Sequence, residues 1–223
     1  FKLTSTFEPI PKIIMDLLSG FLKGGLLMWP IFLCSIITIA IVIEKYFVLR
    51  RASVNVPRFM IQIRELMKKG DIVEAINYCS EINSPIANII RKGLSKYQFG
   101  MERIKESIES AGRQEIYKLE KGISILATIS GVAPLLGFLG TVTGMISAFI
   151  KIESLGGNAS PSDLAGGIWE ALITTAFGLS VGIIAYLFYN YFVTKITKLI
   201  SEMEITSTDF IDVLYEKEFS KKL

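Results

Sequence analysis

The chain has 223 residues, 51% of them hydrophobic and 20% charged, with a formal net charge of +3, two cysteines and no histidine. That apolar share is too high for an ordinary soluble globule, and the charge too plentiful for a bare membrane bundle, so the class is an integral membrane protein with a large wet part. A net charge this small, spread over apolar helices, carries no nucleic-acid signal.

The first residue is Phe1 rather than Met, and an upstream start is expected. Residues 1–23 place Ile13, Ile14, Leu17, Leu18, Phe21 and Leu22 at helical spacing after Pro9-Ile10-Pro11. The pattern fits an amphipathic helix on the outer membrane face or a short extension of the first span.

Three stretches reach the roughly 20 apolar residues that a bilayer-crossing helix needs. They are Gly24–Ile43, Gly122–Ile150 and Leu164–Thr194. Backbone polar groups inside lipid must be paired within the segment, which makes helices the economical solution. The predicted fold class is all-α, with three transmembrane helices.

Between the first two spans, residues 44–121 carry fifteen of the twenty-four basic residues, whereas 151–163 carry one. The positive-inside rule therefore places 44–121 and the tail 195–223 in the cytoplasm, with the N-terminus and the 151–163 loop outside. Within 44–121, Asp71–Ser80 reads as a helix, with Ile72, Ala75, Ile76 and Cys79 at core spacing, followed by Ile86–Leu94. From Met101 no proline or evident stop precedes the second span. One helix over 101–150 would be about 75 Å long and would project well into the cytoplasm. The third span likewise runs on through Ile196, Leu199, Ile200, Met203 and Ile205. Long helices that cannot cover their own apolar faces point to a homo-oligomeric bundle.

Enzyme chemistry finds no footing: there is no His, no Cys-x-x-Cys, no phosphate-binding glycine loop and no nucleophile elbow. No cofactor or metal is expected. Cys34 and Cys79 read as packing residues. The Asn158-Ala159-Ser160 sequon is discounted.

The informative residues lie in the second and third spans. Glu170 is the one charge within the three spans. An intramembrane carboxylate is a functional-site candidate by default; the alternative is a group near the head-group level that hydrogen-bonds a neighbouring helix. Small residues also recur in alternating steps of three and four: Ala127, Ser130, Pro134, Gly137, Thr141, Gly144 and Ala148, then Ala171, Thr175, Gly178, Gly182 and Ala185. Such stripes let helix backbones approach closely, and they could instead border a narrow pore or receive another protein's helix. Thr141 and Thr175 fall about 14–17 Å from the outer edge, level with each other near mid-membrane, with Glu170 shallower at about 9 Å. No Asp or His lies in the spans, so a complete proton path needs a titratable group from another chain. Threonine hydroxyls could bridge water to it without titrating themselves.

Gly137-Phe138-Leu139-Gly140-Thr141-Val142-Thr143-Gly144-Met145, followed by Gly167-Ile168-Trp169-Glu170-Ala171-Leu172 and Thr175-Ala176-Phe177-Gly178-Leu179, resembles the paired signature of the ExbB/TolQ/MotA proton-channel proteins. Trp29-Pro30, Glu44 with Arg50-Arg51, Gly70-Asp71 to Glu74-Ala75, and Tyr189-Asn190 extend the resemblance over nearly the whole chain from Leu26. Three spans with one large cytoplasmic region favour the ExbB/TolQ branch. Thr143 stands where that branch often carries an aromatic residue.

The resemblance implies a subunit of the inner membrane of a diderm bacterium, assembled as a homopentamer with the second and third spans around a pore. Two copies of an ExbD/TolR-like single-span partner would sit in that pore and carry protons on an Asp. Their movement would act on a TonB- or TolA-like protein. Thr141 and Thr175 match the family's pore-facing threonines and Glu170 its glutamate. Two other classes stay open: a non-conducting scaffold that gathers partner helices, and a self-sufficient transporter, for which three spans and one carboxylate are a poor basis.

Overall fold

A computed structural model describes residues 24–156 and 160–220, with side chains described as far as Glu216. The expectations for the N-terminal 1–23 segment and for the sequon at Asn158 lie outside these residues. The described residues are helical throughout, joined by short turns: α1 (Met28–Ala52), α2 (Val56–Lys69), α3 (Ile72–Glu81), α4 (Pro85–Leu94), a 3₁₀ turn (Tyr97–Phe99), α5 (Met101–Glu120), α6 (Ile123–Ser154) and α7 (Pro161–Ser220). Three helical stretches, containing α1, α6 and α7, are long and apolar enough to cross a membrane. The chain is an all-α, multi-pass membrane protein.

The chain divides into two compact units. One holds Phe1–Ile41, described from residue 24, with Ile125–Tyr189; the other holds Val42–Ser124 with Asn190–Leu223, described to residue 220.

In the second unit, each short helix starts on a side-chain cap that satisfies one of the backbone donors a helix start leaves open. Asn55 accepts from Arg58 N at 3.2 Å, Asp71 from Glu74 N at 3.1 Å, and Ser84 from Ala87 N at 3.3 Å. α4 is the hub, burying Ile86, Ala87, Ile89, Ile90, Gly93 and Leu94. Gly93 is small because Ile108 of α5 lies over it; a Cβ there would approach Ile108 Cγ1 to 2.7 Å. Against this hub pack Ile104 and Ile108 of α5 and the buried Ala75 and Cys79 of α3. α2 joins through Phe59, stacked on Tyr78 with ring centroids 5.8 Å apart.

α2 has no counterpart among the helices read from the sequence, although Asn55, Pro57 and Gly70 punctuate it. Its buried positions, Phe59, Met60, Ile63 and Met67, lie on one helical face among Arg, Gln, Glu and Lys. Gly70, at φ 83°, closes it.

The single helix expected over 101–150 is two. α5 ends at Glu120, and Gly122, at φ 84°, turns the chain before α6. Lys45 marks the break. Its side chain is buried, and its Nζ donates to the carbonyls of Lys118 at 3.2 Å and Leu119 at 3.0 Å. Those carbonyls belong to the last turn of α5, where helical partners run out and the dipole favours a cation.

Burial pushes the Cys79 thiol up from its ordinary 9.0 to about 12. The fold therefore favours the neutral thiol. Its contribution to stability is complete below pH 9 and is lost as pH rises toward 12. Because the thiolate is the reactive form, Cys79 in the folded protein at pH 8 is expected to alkylate on the order of a thousandfold more slowly than in denaturant. Mass spectrometry after timed iodoacetamide exposure reads this directly, and comparable rates in the two states would show Cys79 not to be held as a buried thiol.

Candidate functional site

Within the first unit, α6 and α7 meet along their small residues. A Cβ added at Gly178 would lie 2.6 Å from the Ala133 carbonyl oxygen and 2.8 Å from Gly137 Cα. At Gly144 it would lie 2.7 Å from the Gly167 carbonyl oxygen and 2.9 Å from Ala171 N. At Gly182 it would run into the Pro134 ring and lie 3.2 Å from the Ser130 carbonyl oxygen, the one that Pro134 deprives of its helical donor. Backbone against backbone is the contact that glycine permits in a membrane. Ala148, Ala171 and Ala185 are buried; Ala127, Ser130 and Pro134 are half-buried.

Four positions absent from the stripes read from the sequence belong to this contact: Ala133, Gly140, Gly167 and Thr174. Gly140 sits under the fully buried Thr174, whose hydroxyl donates within its own helix to Glu170 O at 2.8 Å or Ala171 O at 3.1 Å. The stripe steps by threes and fours along a single line. The contact is wider than that line, so residues one position off it, such as Gly140, also face the partner helix.

Thr141 and Thr175 are brought together. Their hydroxyls are hydrogen-bonded to each other across the α6–α7 contact. Thr175 Oγ1 also reaches Gly137 O at 2.9 Å and Ala171 O at 3.0 Å, and Thr141 Oγ1 lies 3.4 Å from each of the same two carbonyls. Two hydroxyls thus face two carbonyls, with two protons for five contacts. Alternative donor arrangements fit the same heavy-atom positions, and hydroxyl lone pairs stay available to accept from water. Both threonines are only half-buried, so the pair is reachable from one side. Thr143 is satisfied within α6, donating to Leu139 O or Gly140 O.

Glu170 is not part of this group. It lies five residues before Thr175, about 140° around the helix. Its carboxylate instead rests against Gly25, where a Cβ would overlap Oε1 and where φ is +66°. Gly25 immediately precedes the first turn leading into α1, and its carbonyl accepts from Met28 N at 3.3 Å. Glycine is required there by conformation and by space, a role for which the sequence offers no local sign. Among the described residues no group of His, Cys, Asp and Glu is placed to hold a metal ion.

The profile of the MotA/TolQ/ExbB proton channel family matches residues 81–205, which is more than half of the chain and contains all of the α6–α7 contact. The chain belongs to that family. A putative biopolymer transport protein ExbB homolog of Methanothermobacter thermautotrophicus is 32% identical over 199 residues, covering 89% of this chain and 70% of the relative. A putative biopolymer transport protein ExbB-like 1 of Synechocystis is 33% identical over 185 residues, covering 80% and 71%. The biopolymer transport protein ExbB of Xanthomonas campestris is 36% identical over 121 residues, covering 54% and 46%. These relatives place the chain in the ExbB-like branch. The family is one of transport proteins and proton channels, not of enzymes.

Proposed function

We propose that this ExbB-like chain is the channel-forming subunit of a proton-driven motor in the bacterial inner membrane. It assembles around the transmembrane helix of an ExbD/TolR-like partner and drives a TonB- or TolA-like protein. In this reading α6 and α7 line the pore of a homopentamer, and α1 faces lipid. The N-terminus lies in the periplasm and the C-terminus in the cytoplasm. The observation that carries it is the Thr141–Thr175 hydroxyl pair, half-buried where two glycine-lined helices meet in spans whose only charge is Glu170.

A chain of this composition has a hydrogen-bond relay at mid-depth but no titratable group beside it. The partner supplies the carboxyl that carries the proton, and the threonine pair orders the water through which the proton arrives and leaves. Glu170 is read from the sequence as shallower, and its carboxylate packs against Gly25. The relay therefore rests on the threonines and the partner.

The test is proton uptake into liposomes under an imposed potential. It compares the chain with its single-span partner, the chain alone, and the complex carrying Thr141→Val with Thr175→Val. Flux that requires the partner and falls at least about tenfold in the double variant is the expected result, in line with the usual worth of a positioned proton relay. Valine keeps the shape and removes both hydroxyls. Undiminished flux in the double variant, or none in an intact parent complex, would sink the reading. The second outcome favours a non-conducting scaffold, for which the closeness of Gly137 to Gly178 would be sufficient reason for the glycines.

A further inference from the structure

A second concave site lies within the unit that contains the inner ends of α1 and α7. It is a groove of about 440 Å³ lined by Tyr46 and Arg50 of α1 and by Tyr191, Lys195, Lys198 and Glu202 of α7, with the buried Leu49 and Phe192 contributing to its wall. Three cations face one carboxylate, and that carboxylate is shared with Lys198 at 3.8 Å. Lys195 Nζ stands 6.0 Å from the centroid of the Tyr191 ring. Among the described residues no carboxylate lies within ion-pair distance of Arg50 or Lys195.

The level of this groove in the membrane follows from the sequence. Glu44 and Lys45 are the first charges after the apolar run 24–43, and Lys195 is the first after the uncharged run 171–194. The groove therefore opens where two spans leave the hydrocarbon. Aromatic side chains with polar tips concentrate at that depth, and basic side chains snorkel to it. A basic pocket between helices at that boundary presents fixed donors for a phosphate head. A guanidinium adds the fork geometry that suits phosphate oxygens.

We propose that this groove binds the phosphate head of an anionic phospholipid, held by Arg50, Lys195 and Lys198 with Tyr46 and Tyr191 at its sides. The site is independent of the proton path: it uses none of the α6–α7 contact residues and needs no partner protein.

The test is native mass spectrometry of the full-length purified chain offered equal amounts of phosphatidylglycerol and phosphatidylcholine with identical acyl chains. The parent is expected to retain phosphatidylglycerol at least fivefold over phosphatidylcholine. Arg50→Gln with Lys195→Gln and Lys198→Gln is expected to bring the ratio near one. Arg58→Gln with Lys68→Gln and Lys69→Gln, which removes the same charge from α2, is expected to leave it unchanged. Glycerol 3-phosphate at the same concentration separates the two sources of phosphate. Failure to displace the lipid supports a membrane ligand, and full displacement would overturn the lipid assignment in favour of a soluble phosphate. No preference in the parent, as when a second copy of the chain fills the groove, overturns the proposal without recourse to variants. An unchanged preference in the groove triple variant does so too. If that variant does not fold, Lys195→Gln alone decides, with at least a halved preference expected and an unaltered one fatal.

Discussion

Gly178→Leu is expected to abolish the α6–α7 hairpin and with it any recoverable folded protein. The atoms nearest a Cβ at Gly178 are backbone: Ala133 O at 2.6 Å, Gly137 Cα at 2.8 Å and Gly137 N at 3.0 Å. A side chain can rotate away from an intruder, but a helix backbone can only be displaced as a whole. Parting the helices would also part Thr141 from Thr175 and lift Thr174 off Gly140. Overpacking in a rigid core usually costs about 1–3 kcal/mol, and a contact made by backbone on both sides belongs above that range. Gly178→Ala, which adds only the one methyl, is expected to give a milder loss. The control is Gly112→Ala in α5, where nothing lies within 4 Å of an added Cβ. There the better helix propensity of alanine should add about 0.5–1 kcal/mol. Size-exclusion profiles and thermal unfolding of the three variants in one detergent measure the contrast. A monodisperse Gly178→Leu protein with the parent's melting temperature would refute the packing described.

Lys45→Met is expected to cost about 2–4 kcal/mol, the sum expected for one buried and one part-buried carbonyl left without a donor and a cation removed from a helix end. Methionine retains most of the aliphatic stem, so the loss is electrostatic more than volumetric. For a chain of this size the melting temperature should drop by roughly 5–10 °C. The local signature is sharper: amide exchange should accelerate over residues 117–124, where α5 ends and Gly122 turns the chain, and should change little in α3 and α4. Uniform acceleration would mean that Lys45 acts as general ballast. No acceleration anywhere would mean that water takes over both carbonyls at no cost.

The spans and the paired threonine-glycine motif could be read in the sequence because their signals are local. An uninterrupted apolar run, a repeat of threes and fours and a short motif need no knowledge of what lies opposite. Much of the rest depends on residues far apart in the chain. Nothing near Gly25 announces a carboxylate 145 residues later, and nothing near Lys45 announces the end of a helix at Glu120. The turn at Gly122 is more accessible, since a glycine soon after a last turn that carries Lys118 is an ordinary stop signal. It was obscured by the apolar run that begins at once beyond it. α2 was obscured by the opposite cause, because its four buried residues are scattered among charged ones and no apolar run draws the eye to them. Glu170 stands out in the sequence through the cost of a carboxylate in a membrane. Its direction around the helix, however, separates it from the threonines that share its motif.

Pro134 seated against Gly182 has a mechanical consequence. The ring fills a notch that only a residue without a side chain can provide. Sliding α7 along α6 by one turn, about 5.4 Å, would set the ring against the buried Ala185, whose methyl fills the room that Gly182 leaves, in one direction and would undo the Thr141–Thr175 contact in either. The two helices of one chain are thereby keyed in register and behave as one stiff beam. In the proposed assembly, displacement that accompanies ion passage is taken up where chains meet one another.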